Sequence, residues 1–419
     1  MGIDHFITLP SGMSVTYDDH GSLGTIAIGI FVGVGSRDEG PHQEGMAHFL
    51  EHLTFKGAKD RNSQQIAEVM DDLGGEVNAY TTRDYTCFYA KVLTPLAPRA
   101  WQLLSDLVQH PWLRPEDAER ERNVVQEELL EAMDDLEDRC EVAYMESLYA
   151  DRLITHDVLG SPESIRTMDL GSLNAFYQMH YVPANIVVAI AGEGTEELVE
   201  RIVKKTEPKR ASLSIRHAPS PSPSHVHFER SAEQLQVLLG VPAPVLIDDA
   251  YPTALLLAML LGGQNSSRFW QRLREKDGLV YTVSTGYNAQ GDWAEMSTHM
   301  AVHPSSLNKA VNAIKSELRR FVDEGPAPQE VRRSVIQLAT SFAFNRETPE
   351  GRMFRLGRYG LLGRAAENAE SLLERIRQVR PDAIQRLAHT LWGDWTAVAV
   401  GTAGTLPKKL ANLRGDLVE

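Results

Sequence analysis

The spacing of hydrophobic and polar positions changes character repeatedly along this chain, and each change marks an element. Thr25 to Val34 (TIAIGIFVGV) alternates and is rich in β-branched residues, which predicts a strand. Helices are predicted over Gly45 to Phe55 and Ser63 to Leu73, then strands over Glu76 to Thr81 and Tyr85 to Leu93. Pro98 to Gln109 and the acidic stretch Pro115 to Asp134 follow as helices, the latter opened by its proline. The second half reads in the same order. A strand at Gln234 to Val241 precedes helices at Tyr251 to Leu261 and Ser267 to Lys276. Strands at Val280 to Tyr287 and Trp293 to Val302 come next, then helices at Ser305 to Asp323 and Pro328 to Asn345.

Between the two series, from Lys204 to Arg230, basic residues give way to HAPSPSPSHVH, which builds neither a helix nor a central strand. The pattern predicts an α+β protein of two homologous domains, 1–207 and 226–419, joined by a Pro/Ser-rich linker at 208–225. A length of 419 residues agrees with two domains rather than one.

Composition narrows the functional classes. The chain is 42% hydrophobic and 24% charged, as a folded globular protein should be. With 42 Lys+Arg against 57 Asp+Glu the formal charge is −15, which argues against nucleic acid or an anionic membrane as a partner. Two cysteines, Cys87 and Cys140, give no disulfide framework and no CxxC pair, so both are expected as free buried thiols. No window of the chain looks like a membrane span or a secretory leader, and a cytoplasmic location is the expectation.

The candidate chemistry lies in AHFLEHLTFKG. His48, Glu51 and His52 are spaced HxxEH, so all three side chains share one helical face and two imidazoles can reach one ion. This is the inverted form of the zincin motif, with Glu51 in the position of a general base. A catalytic zinc needs a third protein ligand, and AERERNVVQEELLEAMDD supplies carboxylates: Glu121, Glu128 and Asp135 on one face, Glu127 and Glu131 on flanking faces. Glu128 is preferred. His225 with His227, and His299 with His303, are set aside as strand and strand-end histidines.

Taken together, these segments resemble the inverzincin metallopeptidases, the family of mitochondrial processing peptidase, insulysin and their bacterial relatives. GSRDEGPHQEGMAHFLEHLTFKG is similar to the family's zinc-helix segment, and EVNAYTTRDYTCFYAKVL to its substrate-pairing strand and the strand beside it. ERERNVVQEELLE resembles the segment of the third ligand, which the family places about seventy-five residues beyond the second histidine, as Glu128 stands here; Glu127 is the near alternative. The resemblance makes Glu121 a supporting glutamate. It makes Asn78, Ala79 and Tyr80 the substrate strand, and Arg274 and Tyr281 of GGQNSSRFWQRLREKDGLVYTVSTGY the groups near the scissile carbonyl.

It further implies mostly antiparallel mixed sheets with helices packed against them, one Zn²⁺ per chain, and a dimer enclosing a chamber. The expected activity is hydrolysis of unfolded or short peptides by a zinc endopeptidase, and the acidic balance of the chain points to basic ones. The competing expectation is a non-catalytic or partner subunit of a heterodimer. Retention of the whole motif set favours an active homodimer.

Overall fold

The computed structural model describes residues 4–19, 24–205, 216–392 and 395–401. Strands are β1 (His5–Thr8), β2 (Ser14–Asp18), β3 (Thr25–Val32), β4 (Gly57–Ala58), β5 (Arg61–Asn62), β6 (Glu76–Thr81), β7 (Thr86–Leu93), β8 (Ile186–Gly192), β9 (His225–Phe228), β10 (Leu235–Pro242), β11 (Val280–Ala289), β12 (Ala294–Val302) and β13 (Thr396–Val400). Helices of the first half are α1 (Met46–Thr54), α2 (Ser63–Leu73), α3 (Ala97–Gln109), α4 (Pro115–Asp134), α5 (Leu136–Leu148), α6 (Arg152–Thr155), α7 (Pro162–Thr167), α8 (Leu170–His180) and α9 (Thr195–Lys205). Those of the second half are α10 (Tyr251–Leu261), α11 (Leu307–Glu324), α12 (Pro328–Glu347), α13 (Pro349–Leu361), α14 (Ala369–Gln378) and α15 (Pro381–Leu391).

Two compact units result, each around its own sheet. The first sheet has the order β1-β2-β8-β3-β7-β6 and the second β11-β12-β10-β13-β9. Matching β6, β7, β3, β8 and β2 to β11, β12, β10, β13 and β9 gives one order in both, so the duplication predicted from the element series is present in the topology. Pairing is antiparallel throughout each sheet except for one parallel pair in each, β2 with β8 and β9 with β13. The α+β class and the mostly antiparallel mixed sheets are as expected. Every residue of β8 is buried, as in a strand covered on both faces.

The units do not coincide with the two contiguous halves. One comprises Met1–Leu130, His156–Ile215 and Phe342–Asn368; the other comprises Glu131–Thr155, Arg216–Ser341 and Ala369–Glu419. Each sheet is therefore backed by a helix encoded in the other half. In the first unit α13 lies on β2, β3 and β8, and Gly357 makes its close approach possible: a Cβ there would stand 2.2 Å from Cε2 of Phe31. In the second unit α5 lies on β10 and β13, where Cys140, Tyr144, Leu148, Leu238 and Val398 form one buried cluster. The ten-residue stretch 206–215, which overlaps the first part of the expected linker at 208–225, lies outside the described residues. Both cysteines are buried free thiols.

Candidate metal centre and active site

Helix α1 begins where the backbone turns sharply at Gly45, whose φ of 88° is the left-handed region that glycine tolerates. A side chain there would also meet the carbonyl oxygen of Leu159 at 2.7 Å. Because Gly45 offers no side chain to cap the helix, the caps come from elsewhere. Glu39 accepts the backbone N–H of Gly45 at 2.8 Å and of Ala47 at 2.7 Å, and holds the ring of His156 at 2.9 Å. Burial pushes the Glu39 carboxyl up to about 7, against the lowering effect of these hydrogen bonds. The loop ahead of it is pinned by a buried Arg37–Asp84 ion pair of 2.8 Å.

Eight of the nine residues of α1 are buried, which fixes the face that carries the motif. His48 and His52 bring their Nε2 atoms to 3.2 Å, and α4 brings Glu128 to 3.7 Å from His48 Nε2 and 3.5 Å from His52 Nε2. Among the described residues these three form the only group with the donors to hold a metal ion, all within 4.8 Å of one another. Glu127 and Glu131 are not in it. Asp135 instead caps α5, accepting from the backbone N–H of Glu137 and Asp138.

The donor set fits zinc. Two atoms bound at 2.0–2.1 Å with tetrahedral angles stand about 3.3 Å apart, close to the separations seen. His52 Nδ1 donates to Glu121 Oε1 at 2.9 Å, which leaves Nε2 with its lone pair directed at the cluster. Glu121 is itself held by Lys56 at 2.7 Å. Although burial opposes it, these hydrogen bonds keep the Glu121 carboxyl below its ordinary value. His52 responds in the opposite sense: burial would lower it, but Glu121 and the neighbouring carboxylates raise it. Burial and the adjacent His52 charge bring His48 down to about 3, so its ring is neutral and available as a ligand.

Glu51 stands on the same helix, 8% exposed, with Oε2 accepting the Thr81 hydroxyl at 2.6 Å. Burial raises its carboxyl above the ordinary value, the direction that suits a proton acceptor working near neutrality.

Thr81 ends β6, and among the described residues β6 pairs with β7 alone at one edge of its sheet, so the strand carrying Asn78, Ala79 and Tyr80 has an open side there. Asn78 is exposed and Ala79 half-buried. The Tyr80 side chain is otherwise engaged: its ring packs against Tyr85, Tyr89 and Phe354, and its hydroxyl lies 3.2 Å from that of Tyr85.

In the second unit Arg274 and Tyr281 lie side by side. The guanidinium carbon of Arg274 is 4.3 Å from the Trp270 ring centroid and 5.7 Å from that of Tyr281. Tyr281 is 75% exposed, so it is no core tyrosine. Residues 270–276 form a π-helical turn, which sets Trp270 and Arg274 on neighbouring positions of one face. His299 Nε2 donates to Gln236 Oε1 at 2.9 Å, and His227 Nε2 donates to the Gly401 carbonyl at 3.0 Å, as histidines held within a sheet do.

Residues 16–159 match the insulinase (peptidase family M16) domain, and residues 167–338 the peptidase M16 inactive domain. The chain belongs to the M16 peptidase family. A relative in Mycobacterium leprae, named an uncharacterized zinc protease, is 32% identical over 415 residues, covering 96% of this chain and 93% of its own. One with the same designation in Streptomyces coelicolor is 30% identical over 422 residues, covering 98% and 92%. Among solved structures, a protease from Helicobacter pylori superposes with TM-score 0.86 at 21% identity, covering 96% of this chain and 100% of its own. The peptidase M16 inactive domain from Pseudomonas fluorescens gives 0.87 at 19% identity, covering 96% and 99%, so the M16 fold extends over nearly the whole chain. The half matched by the inactive domain contains α10, YPTALLLAMLL, which has neither His nor Glu where α1 has the motif.

Glu39, His156, Lys56 and Thr81 are the neighbours of this candidate site that sequence reasoning missed. Glu39 follows Asp38 in an irregular loop, and Thr81 precedes Thr82 at a strand end. Neither belongs to a repeating pattern, and only the fold brings them to α1.

Proposed function

We propose that this M16 chain is a zinc-dependent endopeptidase that hydrolyses unfolded or short peptides, with His48, His52 and Glu128 as the metal ligands and Glu51 as the general base. The observation that carries this reading is the convergence of two imidazole nitrogens and one carboxylate beside a buried glutamate that stands outside that donor group. Three protein donors leave a fourth position open, as catalytic zinc sites do and closed structural sites do not. When bound, zinc polarises the scissile carbonyl and brings the pKa of a water to about 7. Glu51 accepts the proton of the attacking water and returns it to the leaving amine. Glu121 fixes the tautomer of His52, and Lys56 keeps Glu121 ionised.

The peptide lies as an added strand along the open side of β6, held by the main chain at Asn78, Ala79 and Tyr80; such pairing reads extended conformation more than sequence. Arg274 and Tyr281 bind the substrate carbonyl, their availability supported by the exposure of Tyr281 and the aromatic support under Arg274. The chain works as a homodimer enclosing a chamber, and the surplus of acids favours basic peptides.

The test is cleavage of an unstructured basic peptide with products mapped by mass spectrometry. Internal cuts that stop on chelation and return with about one equivalent of zinc are the expected result. A protein that binds zinc yet cuts no peptide in a broad panel would move the partner-subunit reading ahead.

A further inference from the structure

The hydroxyl of Thr81 has a single proton, and its neighbours decide where that proton goes. Two oxygens are within reach: Glu51 Oε2 at 2.6 Å and the Thr86 hydroxyl at 3.5 Å. Thr86 gives its own proton to the carbonyl of Val34 at 3.0 Å, so it has none to offer Thr81. The short contact therefore takes the Thr81 proton, and the carboxylate of Glu51 is gripped through Oε2 by a donor that is itself fixed in a β-ladder opposite Thr86. Among the described residues Oε1 has no such donor, and it is the oxygen left to receive a proton.

Placement adds a second consequence. Thr81 closes β6, the strand whose open side carries Asn78 and Ala79, so one short segment of backbone holds both the docking edge and the group that aims the base. We propose that Thr81 is a positioning residue for Glu51, orienting its carboxylate and tying that orientation to the strand on which the peptide lies. This rests on the peptidase reading above. Thr81 touches neither substrate nor metal in this assignment. It acts through Glu51, and displacing a base by about an ångström is enough to cost roughly a hundredfold in rate.

The test compares wild type, Thr81→Val and Thr81→Ser as zinc-loaded proteins on one unstructured peptide, with kcat, KM, zinc content and Tm measured for each. Valine keeps the shape and removes the donor; serine keeps the donor. The expected result is a kcat lowered roughly ten- to a hundredfold in Thr81→Val, with KM within about threefold and zinc content unchanged, and recovery to within about fivefold of wild type in Thr81→Ser. Should Thr81→Val not accumulate as folded protein, Thr81→Ala makes the same comparison against Thr81→Ser.

A kcat in Thr81→Val within about twofold of wild type, equal impairment of the valine and serine variants, or a loss carried wholly by KM would each overturn the proposal. Wild type separates the two possible failures. If it does not cut, the peptidase reading fails and this one with it; if it cuts and Thr81→Val cuts as well, only the role of Thr81 is lost.

Discussion

At the scale of single residues, the site is a set of proton positions. His52 can present Nε2 to a cation because its Nδ1 proton is committed to Glu121, and Glu121 stays ionised because His52 and Lys56 both hydrogen-bond it. Glu121→Gln should therefore weaken zinc binding roughly ten- to a hundredfold, read by competition with a chelator, while leaving the protein folded. An unchanged affinity would show that the hydrogen bond has no hold on the ligand. The proposed histidine ligands and base stand together in the sequence because HxxEH encodes its geometry locally, three and four residues along a helix. Glu128 was legible through family spacing, since periodicity alone left Glu121, Glu127, Glu131 and Asp135 beside it. Thr81 and Glu39 were not, because each meets α1 through tertiary contacts with no sequence period.

At the scale of elements, α1 is held by what surrounds its first turn. Glu39 takes the place of a missing N-cap side chain, and its carboxyl sits among the helix N–H groups and His156. Its folded value of about 7 lies above the ordinary 4.5, so the unfolded chain releases this proton first as pH rises. The stabilising contribution is thus present in full below about pH 4.5 and is lost as pH climbs through about 7. In metal-free protein, wild type should lose Tm relative to Glu39→Gln across that interval, since glutamine has no proton to release. Parallel curves of Tm against pH would contradict this. Element boundaries were read closely from sequence where caps and prolines mark them: α2, α4 and β6 fall on the expected residues. Ser267 to Lys276 is the departure, becoming a π-helical turn over 270–276 where an ordinary helix was expected.

At the scale of the whole molecule, the repeat was visible in the order of elements, but the exchange of α5 and α13 was not. α13 is amphipathic and α5 only weakly so, and nothing in a helical period says which of two similar sheets a helix will cover. The proposed homodimer carries its own prediction. If Arg274 of one subunit serves the metal site of the other, mixing inactive Glu51→Gln chains with inactive Arg274→Ala chains restores one competent site per mixed dimer. After random exchange, activity should reach about a quarter of wild type. No recovery despite demonstrated exchange would place Arg274 and Glu51 of each site on one chain or remove Arg274 from the chemistry.

The central claim is that Glu51 moves a proton and holds no metal. Glu51→Gln tests it most directly, by zinc content and peptide cleavage measured on the same preparation. The account predicts about one zinc per chain, as in wild type, with cleavage lowered by roughly two to four orders of magnitude. A variant that loses its zinc, or one that keeps both zinc and activity, would contradict it.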